Sequence, residues 1–316
     1  MVKIIALEEI NRILDILDPV PLVEEGFISY SEGKVVVPPV GELIFEDPPG
    51  DCHIKYGYIK GDDYYVIKIA QGFYENPKIG LPSINGLNLL FNQKNGQIEC
   101  ILLDEGHLTN VRTAAAGAVV AKYLAPKKVN RIGIFGTGIQ GKMQLRYLKT
   151  VIDCREALVW GRSQNSLDEY IKDMKESGFA IETTLSSEDV TNTCNLIVTC
   201  TPSKTPLIKA NQVRKGTHIT AIGSDTPEKQ ELDVEILGLA DRVISDSLFQ
   251  AESRGECYRA MKNKTITKND IIELGTMITN KDLQRQSDDE ITVADLTGVA
   301  IQDIQISKAV FSKLSL

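Results

Sequence analysis

The spacing of hydrophobic positions changes several times along the chain. Over the first seventeen residues, Ile4, Ile5, Leu7, Ile10, Ile13, Leu14 and Leu17 recur at helical spacing. This predicts an amphipathic helix ended by Pro19 and Pro21. From Gly33 to about Leu103 the pattern turns to short β-branched runs: KVVVP, ELIFE, YYVIKIA, INGLNLLF and IECILLD. Gly, Pro and Asp separate them, which predicts a mixed or antiparallel β region. TNVRTAAAGAVVAKYLAP then reads as an Ala-rich helix that starts between Thr109 and Thr113 and is stopped by Pro126.

Beyond Pro126, strand-like RIGIF, EALVW, NLIVTCT, THITAIGSD and ADRVIS alternate with helical IQGKMQLRYLKTV and SLDEYIKDMKES. Alternation on this scale predicts βαβ units and a parallel sheet covered by helices. The pattern weakens after about Gln250. A last strand, EITVAD, leads through Thr297 and Gly298 into an amphipathic helix, GVAIQDIQISKAVFSKL, expected to return to the first region. The predicted fold is α/β: a doubly wound parallel sheet over residues 116–295, and a discontinuous β-rich domain from 1–115 plus 296–316.

Composition narrows the field. The 316 residues are 42% hydrophobic and 25% charged, which supplies a sizeable core and excludes a disordered or collagen-like chain. A net charge of −8 without a basic tract argues against nucleic acid or an anionic membrane as partner. No apolar run approaches the roughly 20 residues that span a bilayer. The start, MVKIIALEEINRIL, turns acidic too early for a secretory signal, so the expected location is the cytoplasm. Cys52, Cys100, Cys154, Cys194, Cys200 and Cys257 are scattered without a CxxC and are expected as buried free thiols. His53, His107 and His218 are equally dispersed, and no metal site is expected.

The sharpest motif is Gly136-Thr137-Gly138-Ile139-Gln140-Gly141, directly after the apolar strand RIGIF and opening a helix. There the first glycine allows a tight turn, the second lets the backbone approach a pyrophosphate, and the third lets helix and strand pack closely. The helix N-terminus offers unpaired N–H groups to phosphates. A phosphate-binding loop of the GK[ST] type fits less well, because Met143 follows Gly141-Lys142. At the next strand tip, Trp160-Gly161-Arg162-Ser163, no carboxylate is available for a ribose hydroxyl. Arg162 and Ser163 suit a 2′-phosphate, which puts NADP ahead of NAD; the alternative is an Arg162 that only borders a solvated loop.

Three charged residues stand in unusual settings. Lys68 shares a strand face with Val66 and Ala70, where burial would lower its pKa toward acid–base use; on an edge strand it would instead snorkel to water. Arg112 near a helix start opposes the helix dipole, which suits an intervening substrate carboxylate or a surface salt bridge. Asp225 follows THITAIG at the carboxyl end of a predicted strand, the edge where α/β sheets bind ligands, although Asp before Thr-Pro is also ordinary turn chemistry.

Taken together, VIKIAQGFYENP, LDEGHLTNVRTAAAGAVVAKYLAP, FGTGIQGKMQLRYL, IGSDTPEKQELD and LTGVAIQD resemble, in order, the ornithine cyclodeaminase/mu-crystallin family, which includes archaeal-type alanine dehydrogenases and imine reductases. The resemblance implies an NAD(P)-binding Rossmann domain and a β-rich substrate and dimerisation domain, hence a homodimer. It makes Lys68 and Arg112 substrate contacts and Asp225 the aspartate of proton transfer. Thr113 and Gly298, in matched segments, join the expected nucleotide contacts. One departure is Val40, where many members carry a carboxylate-binding arginine; Lys55 is the candidate replacement. The expected activity is an NAD(P)-dependent oxidoreductase interconverting a small L-amino acid and its imine or 2-oxo acid. Catalysis would rest on Lys68 and Asp225, and substrate binding on Arg112, Lys55 and Lys68. The alternatives are ornithine cyclodeaminase, redox-neutral with bound NAD, and a mu-crystallin-like NADP-dependent binding protein.

Overall fold

The computed structural model describes residues 2–73 and 75–314. The chain divides into two compact units, one running to Arg112 and resuming at Val299, the other covering Thr113–Gly298. Its class is α/β, with one mixed sheet and one parallel sheet.

The first unit opens with strand β1 (Lys3–Ala6), helix α1 (Leu7–Leu14) and helix α2 (Pro19–Ser31). The single helix expected here is therefore two elements. Lys3–Ala6 is extended because it pairs in parallel with a strand at Cys100–Leu103, which satisfies its backbone. Nor does Pro19 act as a stop. It occupies the first turn of α2, where no N–H is needed, while Asp18 caps that helix by accepting a hydrogen bond from the Val20 N–H at 3.1 Å.

β2 (Val35–Val36), β3 (Gly41–Phe45), β4 (Gly50–Ile59), β5 (Tyr64–Phe73), β6 (Ile84–Asn92) and β7 (Ile98–Leu103) follow, and then helix α3 (His107–Leu124). The sheet order is β1-β7-β6-β5-β4-β2, with β3 also on β4; all pairings except β1 with β7 are antiparallel. β5 is thus an interior strand, which removes the snorkelling alternative for Lys68. The helix that carries Arg112 begins at His107, a little earlier than expected, and the division between the units falls inside it.

In the second unit run β8 (Ile132–Phe135), α4 (Ile139–Leu148), β9 (Glu156–Trp160), α5 (Gln164–Asp173), β10 (Ala180–Thr184), α6 (Ser187–Thr193), β11 (Leu196–Thr199), β12 (His218–Ala221), α7 (Glu235–Leu239), β13 (Arg242–Ser245), α8 (Gly255–Lys262), β14 (Ile271–Glu273), α9 (Leu274–Thr279) and β15 (Thr292–Asp295). All pairings are parallel, in the order β10-β9-β8-β11-β12-β15-β13-β14. β8, β11, β12 and β15 are buried at every position, as expected for strands covered on both faces. The order reverses between β8 and β11, a switch point of the kind beside which open parallel sheets bind ligands, beyond the strands' carboxyl ends.

The chain closes with α10 (Ala300–Lys313), which belongs to the first unit and packs on α2, β4 and β5. The amphipathic character expected of it is absent: Ala300 through Ser307 are buried without interruption. A helix covered on all sides must account for its polar residues internally, and Gln302 and Asp303 lie in that stretch.

Candidate functional site

In the first unit a group of charges is buried together. Lys68, on β5, stands directly opposite Lys55 on β4 and Asn88 on β6. Lys68 is 2% exposed, Lys55 8% and Arg112, from α3, 5%. Like charges facing each other across a sheet repel, so three buried cations need an anion. Asp303 provides it from α10. Its Oδ1 accepts a hydrogen bond from Lys68 Nζ at 3.1 Å and lies 3.0 Å from Arg112 Nε. Arg112 Nη1 donates to Gln302 Oε1 at 2.8 Å, and the same oxygen accepts from the Val299 N–H at the start of α10.

A second carboxylate, Asp104, accepts from Asn88 Nδ2 at 3.3 Å and from the Leu108 N–H in the first turn of α3 at 2.8 Å. Asp303 and Asp104 are thus two buried carboxylates set against the three cations. Two buried oxygens of the cluster, Asn88 Oδ1 and Asp303 Oδ2, have no hydrogen-bond partner among the described residues.

The electrostatics follow from burial. Desolvation lowers the Lys68 pKa to about 7; Asp303 opposes that fall, while Arg112 and Lys55 reinforce it. Burial is also the largest influence on Asp303, pushing it up, but the Arg112, Lys68 and Lys55 charges together hold it below its ordinary value. Asp104 is raised, chiefly by burial. The cluster therefore contains an amine that changes protonation near neutrality beside a carboxylate that stays ionised.

In the second unit, the glycines after β8 have the geometry of a dinucleotide turn. Gly136 has φ +123°, in the region that favours glycine. A Cβ on Gly141 would lie 2.2 Å from the Gly136 carbonyl oxygen, so the helix can pack on the turn only without a side chain. Above Gly138, the N-cap of α4, nothing lies within 4 Å, which leaves backbone that a ligand can approach. Thr137 Cγ2 lies 2.9 Å from a Cβ built on Gly161, so the turn and the tip of β9 adjoin. These residues fit a pyrophosphate at the N-terminus of α4.

The remaining nucleotide candidates are distributed around this unit. Ile139 is exposed on α4. Gln140 accepts from Gln144 Nε2, which also donates to the Thr113 carbonyl oxygen at 3.0 Å. Arg162 is exposed, whereas the Ser163 hydroxyl is used to cap α5 by accepting from the Ser166 N–H at 3.3 Å. Gly298 has φ +82° and donates its N–H to Asp246 Oδ2 at 2.7 Å. Asp225 lies four residues past the end of β12, its carboxylate 43% exposed and 2.6 Å from Lys229 Nζ.

Lys55, Lys68 and Arg112 thus meet in one cluster within the first unit; Asp225 and the nucleotide candidates belong to the second. Val40, in the segment before β3, is half-buried and brings no charge. Asp303, Gln302, Asn88 and Asp104 were not singled out from sequence. The available signal for Asp303 was an acid set between Ile301 and Ile304 in a helix dense with apolar residues. Replacing Asp303 with Asn removes the anion shared by Lys68 and Arg112 and is expected to cost about 3–5 kcal/mol of stability. The exposed Asp225→Asn is expected to cost about 1 kcal/mol or less. Urea denaturation of both variants measures the contrast; equal losses would contradict the arrangement.

Residues 1–315 match the profile of the ornithine cyclodeaminase/mu-crystallin family. A Sinorhizobium fredii protein called an uncharacterized cyclodeaminase is 37% identical over 315 residues, covering 98% of this chain and 95% of its own. An archaeal alanine dehydrogenase, solved as a dimer with bound NAD, is 34% identical, with a TM-score of 0.89 over 99% of this chain and 96% of its own. The Δ1-pyrroline-2-carboxylate reductase of Thermococcus litoralis, solved with NADH and L-proline, is 26% identical, with a TM-score of 0.92 over 99% and 97%. With a profile match along nearly its whole length, the chain belongs to the ornithine cyclodeaminase/mu-crystallin family.

Proposed function

We propose that this protein is an NAD(P)-dependent oxidoreductase that interconverts a small L-amino acid with its imine or 2-oxo acid. The observation that carries this reading is the buried cluster of Lys55, Lys68 and Arg112 ordered by Asp303, in a chain whose other unit carries a dinucleotide turn. A relative that is an alanine dehydrogenase with NAD and one that is an imine-acid reductase with NADH and L-proline support it.

Arg112 and Lys55 hold the substrate carboxylate. Arg112 is already oriented by Asp303 and Gln302, so little further order is lost on binding. Lys55 supplies the charge that an arginine at position 40 would have brought. Lys68, with a pKa of about 7, donates a hydrogen bond to the substrate nitrogen or oxygen as ammonium and accepts a proton as amine. Asp225 exchanges the proton on nitrogen or orients the water that hydrolyses the imine. Gly136, Gly138 and Gly141, with Thr137 and the N-terminus of α4, would hold the pyrophosphate of the nucleotide, whose nicotinamide supplies or takes up hydride at the substrate α-carbon.

Of the two nucleotides, NAD is the better supported. With the Ser163 hydroxyl engaged as a helix cap, Arg162 alone is left to hold a 2′-phosphate, and both solved relatives carry NAD or NADH. A homodimer belongs to the same reading. The first unit leaves Leu43 and Ile44 of β3, and separately Ile79 and Leu81, exposed, apolar side chains that a second copy would cover. Sedimentation is expected to give a dimer that Ile44→Asp weakens; an unaltered monomer in both would refute it.

The function is tested by following absorbance at 340 nm with small 2-oxo acids and ammonia or methylamine, with NADH and NADPH in parallel. Amine-dependent oxidation is expected, faster with NADH, and Lys68→Ala should lower turnover by about a hundredfold or more. Because the productive ammonium form is lost above its pKa, reduction should slow as pH rises through about 7, and oxidation should accelerate. Ammonia and proline from ornithine, without net change in NAD, would instead establish the cyclodeaminase reading that the Sinorhizobium relative's name suggests. Full activity in Lys68→Ala would falsify the catalytic assignment.

A further inference from the structure

Six residues after Asp225, the segment KQELD carries a glutamate to which the mechanism above gives no part. Glu231 is fully buried, and its partners are hydroxyls and main-chain N–H groups. Its Oε1 accepts from the Thr201 N–H at 2.6 Å and from Thr201 Oγ1 at 2.8 Å. Its Oε2 accepts from Thr199 Oγ1 at 2.8 Å and from the Gly223 N–H at 2.9 Å. Four donors occupy the acceptor sites of one carboxylate, an arrangement suited to its ionised form.

The donors come from two neighbouring strand ends. Thr199 closes β11 and Thr201 lies just beyond it; Gly223 lies two residues past β12 and two before Asp225. The backbones approach so closely that a Cβ on Gly223 would be 2.1 Å from the Thr201 carbonyl oxygen. The same β11 loop borders the dinucleotide turn, since a Cβ on Gly136 would be 3.1 Å from Cys200 Sγ. Glu231 is itself fixed from behind, because its N–H donates to Glu256 Oε1 at 2.6 Å and its carbonyl oxygen accepts from the Leu207 N–H at 2.6 Å.

We propose that Glu231 is a positioning residue that locks the Asp225 turn to the β11 loop and so fixes where the Asp225 carboxylate is presented for proton transfer. This rests on the reading of Asp225 given above. Burial brings Glu231 to about pH 7. The titratable groups facing it, Glu256 behind and Cys200 in the β11 loop, are both raised well above their ordinary values, chiefly by burial. Below that pH, a protonated Glu231 requires one threonine hydroxyl to turn from donor to acceptor, and the lock loosens.

Glu231→Gln keeps the size but directs an amide NH2 at two of the donors. Above neutral pH, the Thr201 and Gly223 amides should exchange hydrogen at least about tenfold faster than in the wild type, while those of β8 are unaltered. Turnover should fall by about tenfold or more with KM for the carboxylate substrate unchanged, and the fall that Glu231 protonation imposes on reduction at acid pH, where Lys68 is already in its productive form, should flatten. Thr199→Val, which removes one donor and keeps the fold, should show the same pattern more weakly. Unchanged exchange overturns the proposal, as does faster exchange with wild-type turnover and pH profile. If Asp225→Asn is inactive and Glu231→Gln fully active, the lock fails alone. A fully active Asp225→Asn defeats the Asp225 reading and the lock with it.

Discussion

Lys55 and Lys68 face each other across adjacent strands, Arg112 joins them from a helix, and all three are shielded from water. Such an arrangement repels itself and persists only because Asp303 is delivered into it by α10. That requirement explains features of the first unit that otherwise look arbitrary. β5 has to be an interior strand, the chain's last helix has to return to the first sheet, and the opening turns of that helix, which carry Gln302 and Asp303, have to be buried all round. The proposed anionic substrate would join Asp303 in offsetting these three buried cations.

The second unit solves a different problem with different means. It needs few charges, because backbone N–H groups at a helix N-terminus and the open space above Gly138 supply the polarity and room a pyrophosphate requires, while the missing side chain of Gly141 lets the helix pack on the turn. Its buried carboxylates work as organisers of backbone. Asp246 accepts from the N–H groups of Thr297 and Gly298, Asp295 accepts from the Cys257 N–H at the start of α8, and Glu231 joins two strand ends. Each fixes a loop that hydrophobic packing alone would leave loosely defined, and burial raises the pKa of Glu231 and Asp295 in doing so.

Much of this was legible in the residues. The alternation of strand and helix patterns identified the parallel sheet, and GTGIQG located the turn because each glycine has a distinct steric duty there. Lys68 was visible as a charge on an apolar strand face, although only the sheet order shows that β5 has neighbours on both sides. The start of the chain was misread because Ile4 and Ile5 fit a helical period as readily as a strand, and pairing with β7 decides between them. α8, β14 and α9 fall where the pattern is weakest, since each is too short to show a clear period. Asp303 was missed for a deeper reason: its meaning lies in two cations far away in sequence, and no local period records that. Glu231 is of the same kind, as its four donors come from two other strand ends.

The central claim is that hydride passes between a nicotinamide and the α-carbon of a carboxylate substrate held by these buried cations. The most direct measurement uses NADH deuterated at C4 of the nicotinamide, a small 2-oxo acid and ammonia, with the amino acid recovered and analysed by NMR and mass spectrometry. One deuterium at the α-carbon is the expected result, lost together with turnover when Arg112 is replaced by Ala. An amino acid formed without deuterium from either face of the nicotinamide would contradict the claim.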